Sequence, residues 1–310
     1  MITNIEQSTI NYMKWYAINY LNAEPTTFFT EGIYPYEVQN ISINPKLNNF
    51  FVNTFPKEEY FQVIENNTDT NQLQNIKFSE KSIETITNTT TLGYTLYKGI
   101  KLSTTFNILV NFMISGSIEQ SLEIPFNSEF KCYSTETTKK TFNKLWEFTQ
   151  PVIVPPHTRI TATLIIMGAT IKIPTQLSAN INGAHMYNNK ENWFSSISFR
   201  QFNGSKVKTL FAASNLSQNS WPKKPSIFAS PGPHGSLNLR GESIITVEPG
   251  LYTVAKFVES PLDGFSNERK TWYTDKVILR DGRMIQLPNL NPLTGKSSFI
   301  DTEIILIEDK

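Results

Sequence analysis

The sequence predicts a mainly β protein of long antiparallel strands with a small helical N-terminal portion. Three observations carry that expectation. Residues 105–126, TFNILVNFMISGSIEQSLEIPF, alternate apolar and polar side chains on both sides of a Ser-Gly-Ser turn. Two long hydroxyl-rich runs, 78–98 and 130–149, bracket that hairpin. Charged residues are only 18%, and Ser, Thr and Asn supply the missing polarity, which favours extended sheets over helices.

The hairpin is the most informative stretch. Phe106, Ile108, Val110, Phe112 and Ile114 share one face of its first arm. Ile118, Leu122, Ile124 and Phe126 continue that face on the second arm, broken only by Gln120. The other face carries Asn107, Asn111, Glu119, Ser121 and Glu123, with Leu109 and Met113 as apolar exceptions. Ser115, Gly116 and Ser117 form the turn, which sets 114 opposite 118 and 106 opposite 126. Each arm has about ten residues, the length a tilted strand needs to cross a bilayer. Only a closed barrel lets strands do so, because it leaves no backbone group unpaired. An ordinary hairpin laid on a sandwich core shows the same alternation, so the pattern alone leaves both readings open.

The totals narrow the classes. A chain of 310 residues buries a sizeable core. A net charge of +1 gives no electrostatic case for nucleic acid or for an anionic membrane surface. The single cysteine, Cys132, excludes an intramolecular disulfide. The opening MITNIEQSTINYMKWY has no basic region followed by an apolar run, so no secretory signal is expected. No run of about 18 apolar residues exists to make a spanning helix.

In chain order, residues 3–21 read as one helix, with Thr3 and Glu6 at capping-box spacing and a stripe of Ile10, Met13, Ala17 and Leu21. Residues 28–61 are rich in aromatics. Core filling and an exposed platform for a receptor or glycan both account for them. Tyr34 and Tyr36 here, with Trp193 and Trp221 later, are the candidate platform residues. The hydroxyl-rich runs hold too few apolar residues for central core strands. Gln150–Pro156 reads as a rigid corner, and Gly168 as a bulge or strand end. From 180 to 235 the periodicity fades, so loops are expected. Strands return at 243–247, 251–258 and 270–273, and Asp281-Gly282 signals a hairpin. The tail is a polar linker ending in a short strand at 304–307.

Chemistry of the catalytic kind is not signalled. His157, His185 and His234 lack partners at metal spacing. Thr294-Gly295-Lys296-Ser297 lacks the first glycine of a phosphate loop, since position 290 is Leu290. Cys132 has no nearby histidine. No enzyme activity, metal or cofactor is expected.

The order of aromatic region, hydroxyl-rich strand, amphipathic hairpin, hydroxyl-rich strand and proline corner resembles the aerolysin-like β-pore-forming toxins. The resemblance is to their epsilon-toxin and mosquitocidal-toxin branch, with its small parasporal crystal proteins. QPVIVPPHTRITATLIIMG at 150–168, KIP at 172–174 and KTWY at 270–273 ahead of LRDGRMI carry it. It implies an elongated three-part architecture. Residues 1–60 and 180–240 would form a receptor-binding head. Residues 61–104, 127–179 and 241–260 would form the long-strand body. Residues 105–126 would be the membrane-insertion hairpin, and 261–310 a C-terminal β region with an activation segment cut near Lys296. It also implies storage in a parasporal crystal, a homo-oligomeric pore at the target-cell membrane and a surface receptor or glycan. Asn107, Asn111, Glu119, Ser121 and Glu123 would line the lumen. The alternative is a lectin-like or storage crystal protein of the same fold that forms no pore.

Overall fold

Helix α1 (Ile5–Tyr20) follows a three-residue strand, β1 (Ile2–Asn4). Its N-cap is Asn4, whose side-chain oxygen accepts from the Gln7 amide at 2.9 Å, so the expected cap moves one residue from Thr3. Ile5, Thr9, Tyr12, Met13 and Ala17 form its buried face, while Ile10 and Leu21 are half-buried. The face is rotated because Tyr12 meets Phe211 and Trp221 edge-on. The computed structural model describes residues 2–46, 51–95, 102–114, 118–130, 137–183, 185–187, 191–263, 269–274, 276–286 and 305–306.

The remaining elements are strands. They are β2 (Ala23–Ile33), β3 (Tyr36–Pro45), β4 (Phe51–Asn66), β5 (Gln72–Thr95), β6 (Leu102–Ile114), β7 (Ile118–Phe130), β8 (Thr138–Val154) and β9 (Thr158–Gly183). Then come β10 (His185–Tyr187), β11 (Glu191–Gln201), β12 (Lys206–Ala212), β13 (Phe228–Pro231), β14 (Leu237–Glu248) and β15 (Gly250–Pro261). β16 (Lys270–Tyr273), β17 (Lys276–Leu279), β18 (Met284–Gln286) and β19 (Ile305–Leu306) complete the set. The mainly β, antiparallel fold class expected from the sequence is observed, and among the described residues the one parallel pairing is β1 on β5. The 180–235 region carries strands where loops were expected, because bulges at Trp193/Ser195 and Phe199/Gln201 break the period that would reveal them.

β9 is the spine. One edge pairs with β4 and then β3, the other with β15 and then β14. Its side chains enter three apolar cores in turn. Ile160, Ala162 and Leu164 join Ile76, Phe78, Phe148 and Phe257 in the first. Met167, Ala169, Ile171 and Ile173 join Ile86, Val247 and Leu251 in the second. Ala179 and Ile181 join the helix, Phe194, Phe199 and Trp221 in the third. Gly168 does not interrupt the strand. The irregularities lie in its partners, at Pro56/Glu58 and Gly250/Tyr252, and a Cβ at 168 would stand 2.9 Å from the Pro249 carbonyl oxygen.

The two hydroxyl-rich runs pair with each other, Gln72 opposite Val154 through Asn88 opposite Thr138. Their few apolar residues suffice for a core, because one face of each strand is buried: Ile76, Phe78 and Ile86 on β5, Trp146 and Phe148 on β8. Pro151 sits inside β8 opposite Asn75, and the corner falls at Pro155–His157, where His157 has φ 52. Where β5 runs past β4, side chains close the seam. The Lys77 amide donates to Gln62 and the Ile83 amide to Glu58, at 3.3 and 3.2 Å.

Candidate functional site

The hairpin of β6 and β7 has the register expected from the sequence, with Ile114 opposite Ile118, Ile108 opposite Ile124 and Phe106 opposite Phe126. Ser115, Gly116 and Ser117 lie outside the described residues. So do the side chains of Phe106, Ile108, Val110, Phe112, Ile114, Ile118, Ile124 and Phe126, and those of Asn107, Asn111 and Glu119. Four described side chains show how this sheet sits. Leu122 is buried in the second core, while Leu109, Ser121 and Glu123 are exposed.

Leu122 meets the body at a cavity of about 230 Å³, lined also by Ile86, Phe142, Val247 and Pro249. Glu84 and Arg280 line its polar side. The Glu84 carboxylate accepts from the Gly250 amide at 3.0 Å and pairs with the Arg280 guanidinium, which also donates to the Gly250 carbonyl at 3.1 Å. Nearby, Thr85 donates to the Glu248 carboxylate at 2.9 Å and the Lys57 ammonium to the Glu248 carbonyl at 2.5 Å. Burial holds the Lys57 ammonium below its ordinary value, and Arg280 adds to this against the pull of Glu84, Glu58 and Glu248. Sequence reasoning missed this cluster, because Glu84 and Arg280 lie 196 residues apart.

The C-terminal strand also reaches the hairpin. Ile305 pairs with Met113 and Leu306 with Phe112, so β19 occupies the outer edge of β6 near the turn. Lys296 lies outside the described residues.

The aromatic candidates divide. Tyr36 and Trp221 are core residues, the first edge-on to Phe194 and the second against Tyr12 and Phe228, so neither forms an exposed platform. Tyr34 is half-buried and donates to Ser196 Oγ at 3.0 Å, and Trp193 is half-buried. Among the described residues the exposed aromatics include Phe51 and Phe61 on β4 and, around the helix end and the β2–β11–β12 sheet, Tyr20, Phe29 and Phe202. Phe202 was legible, since Asn203-Gly204 behind it is a hairpin-turn signal. His157 and His234 occupy turns, and His157 Nε2 lies 2.7 Å from the Asp69 carboxylate. Among the described residues no three His, Cys, Asp or Glu side chains gather as a metal site.

The chain is 27% identical over 293 residues to the pesticidal crystal protein Cry15Aa of Bacillus thuringiensis subsp. thompsoni, covering 91% of this chain and 83% of the relative. A non-toxic crystal protein from Bacillus thuringiensis has the same fold at TM-score 0.57 and 17% identity, over 86% of this chain and all of that one. The structure of the Cry23Aa1 and Cry37Aa1 binary complex matches at TM-score 0.55 and 19% identity, over 93% of this chain and 99% of that one. The family model described as Clostridium epsilon toxin ETX/Bacillus mosquitocidal toxin MTX2 matches residues 29–271, and the chain belongs to that family.

Proposed function

We propose that the protein is a protease-activated β-pore-forming toxin, stored in a crystal and acting at a target-cell membrane. In this reading the head binds a surface receptor and removal of the C-terminal segment frees the outer edge of β6. Protomers then assemble into a ring, and each contributes β6 and β7 to one transmembrane barrel. The observation that carries it is the seating of the amphipathic hairpin by Leu122 while Leu109, Ser121 and Glu123 face solvent. Leu122 is thus stored against the body, ready to exchange protein for lipid. The dimensions agree. Thirteen residues per strand span about 43 Å at about 3.3 Å each, or about 30 Å along the membrane normal at a tilt near 45°.

A second reading, a storage or lectin-like crystal protein without a pore, is favoured by one observation: the non-toxic crystal protein shares the fold. Dye release from vesicles made with target-cell membrane extract, before and after limited proteolysis, separates the two. Release only after cleavage, abolished by Ile108→Asp with cell binding retained, is the expected result. Binding without release under all conditions refutes the pore and leaves the second reading.

A further inference from the structure

The small sheet of β2, β11 and β12 has two unlike faces. Its inner face packs Phe28, Ile197 and Phe199 toward the helix, where Lys14 pairs with Glu31 at 2.6 Å. Its outer face is basic. Arg200 lies directly opposite Lys206 and Ser198 opposite Lys208, so all three cations share one side by strand alternation. Among the described residues, no carboxylate forms an ion pair with any of the three.

The backbone is bent to put an aromatic ring among these charges. Thr30 pairs with Ser198 and Phe28 with Phe199, which leaves Phe29 as the extra residue of a β-bulge. The bulge turns Phe29 outward, 50% exposed, beside the half-buried Phe28. Its ring centroid lies 5.9 Å from the Arg200 guanidinium carbon and 5.3 Å from Lys206 Nζ. The turn that joins β11 to β12 carries Phe202, 70% exposed, and is tied to the end of the helix by Phe202 N to Asn22 O at 3.2 Å and Gln201 Nε2 to Leu21 O at 2.9 Å. That helix end bears Tyr20, 53% exposed. Three large rings and three cations thus gather at one end of the sheet.

We infer that this end is a lipid-contacting tip that docks the protein on an anionic phospholipid surface through Phe202, Phe29, Arg200, Lys206 and Lys208. Aromatic bodies enter the headgroup boundary while the flanking cations meet the phosphates. Phe favours lipid over sugar here. It has no polar handle, and the Phe29 ring already faces two cations, whereas a saccharide platform needs a free ring face and hydrogen-bonding groups. The small net charge of the whole chain conceals this local concentration. The inference rests on the reading that the head contacts the target cell, and names the lipid chemistry of that contact.

The test is flotation of the uncleaved full-length protein with protein-free vesicles of neutral phosphatidylcholine, with and without one fifth phosphatidylserine. Binding is expected only with the anionic lipid and is expected to weaken with salt. Each neutralised cation costs about fivefold, so Arg200→Gln with Lys206→Gln costs about 25-fold. Phe202→Ser weakens binding without changing its salt dependence. Matching thermal melts show that the variants fold. Equal binding to both vesicle types, no binding to either, or unchanged binding by the double variant overturns the tip. Leakage of receptor-bearing vesicles by a protein that ignores protein-free anionic ones keeps the pore, refutes the tip and indicates a glycan or protein receptor. Charge-dependent flotation without leakage after cleavage does the reverse.

Discussion

Leu122→Ala separates the stored hairpin from the inserted one by energy. In the monomer Leu122 is buried beside Ile86 and Val247, with a cavity of about 230 Å³ already adjoining it. Truncation there enlarges a void, and core Leu→Ala changes cost about 2–5 kcal/mol, a lost-transfer part plus a cavity part. In a barrel strand facing lipid, the removed carbons cost about 0.8 kcal/mol each, roughly 2.4 kcal/mol in all, with no cavity because acyl chains fill the gap. The difference, on the order of 1 kcal/mol from the middle of that range, weakens the stored state more than the inserted one. It corresponds to roughly sixfold in the release equilibrium. The variant should melt several degrees lower than the parent, yet leak dye faster once cleaved. Leu109→Ala, on the exposed face, is the control and should leave the melting temperature nearly unchanged. An unaltered melt for Leu122→Ala, or a lower melt with slower leakage, would show that this side chain is not what stores the hairpin for lipid.

Three further outcomes follow from the body. Glu84→Ala leaves the Arg280 guanidinium beside the cavity without its carboxylate and should cost about 3 kcal/mol in urea unfolding, whereas Glu84→Met with Arg280→Met should recover much of it. Gly250→Ala would place a Cβ 2.6 Å from a ring carbon of Trp146, whose indole N–H is fixed to Ser82 Oγ at 2.8 Å, so overpacking of about 1–3 kcal/mol should appear in the same assay. Burial and the Glu58 carboxylate push the Tyr60 hydroxyl up to about 12. The folded state therefore keeps a proton that the unfolded state loses near pH 10, and this contribution declines as pH rises from about 10 to 12. The Tyr60 hydroxyl donates to Glu58 on its own strand and to the Lys81 carbonyl of β5 at 3.2 Å, so Tyr60→Phe should flatten that part of a stability–pH curve, and an unchanged slope would show that this hydroxyl is not the group responsible.

The hairpin was legible because its two signals are local: a period of two broken only at Leu109, Met113 and Gln120, and a turn whose residues set the register. The pairing of the hydroxyl-rich runs was less so. Ile76, Phe78, Trp146 and Phe148 look sparse along the chain and become a core only when the buried faces of β5 and β8 are counted together. The aromatic surface was misread for a related reason. Residue type does not say which way a ring points, and one bulge sends Phe28 inward and Phe29 outward. Trp221 entered the core against Tyr12 of the helix and Tyr36 against Phe194, contacts between segments far apart in the chain. The Glu84–Arg280 pair is wholly tertiary and left no mark in either neighbourhood.

The continuous β9 strand bears on how relatives of this protein diversify. A recombination junction placed anywhere between Thr158 and Gly183 would join two halves of one strand whose neighbours on both edges come from different parts of the chain. Such a chimera would have to match three interiors at once. Exchange of one end of the molecule as a unit would therefore cut the strand that all three cores share, unlike exchange of domains joined by a linker. In the proposed reading, a change of target would come instead from substitution at exposed positions such as Phe29, Arg200 and Phe202, which alter a surface without disturbing the strand that carries it.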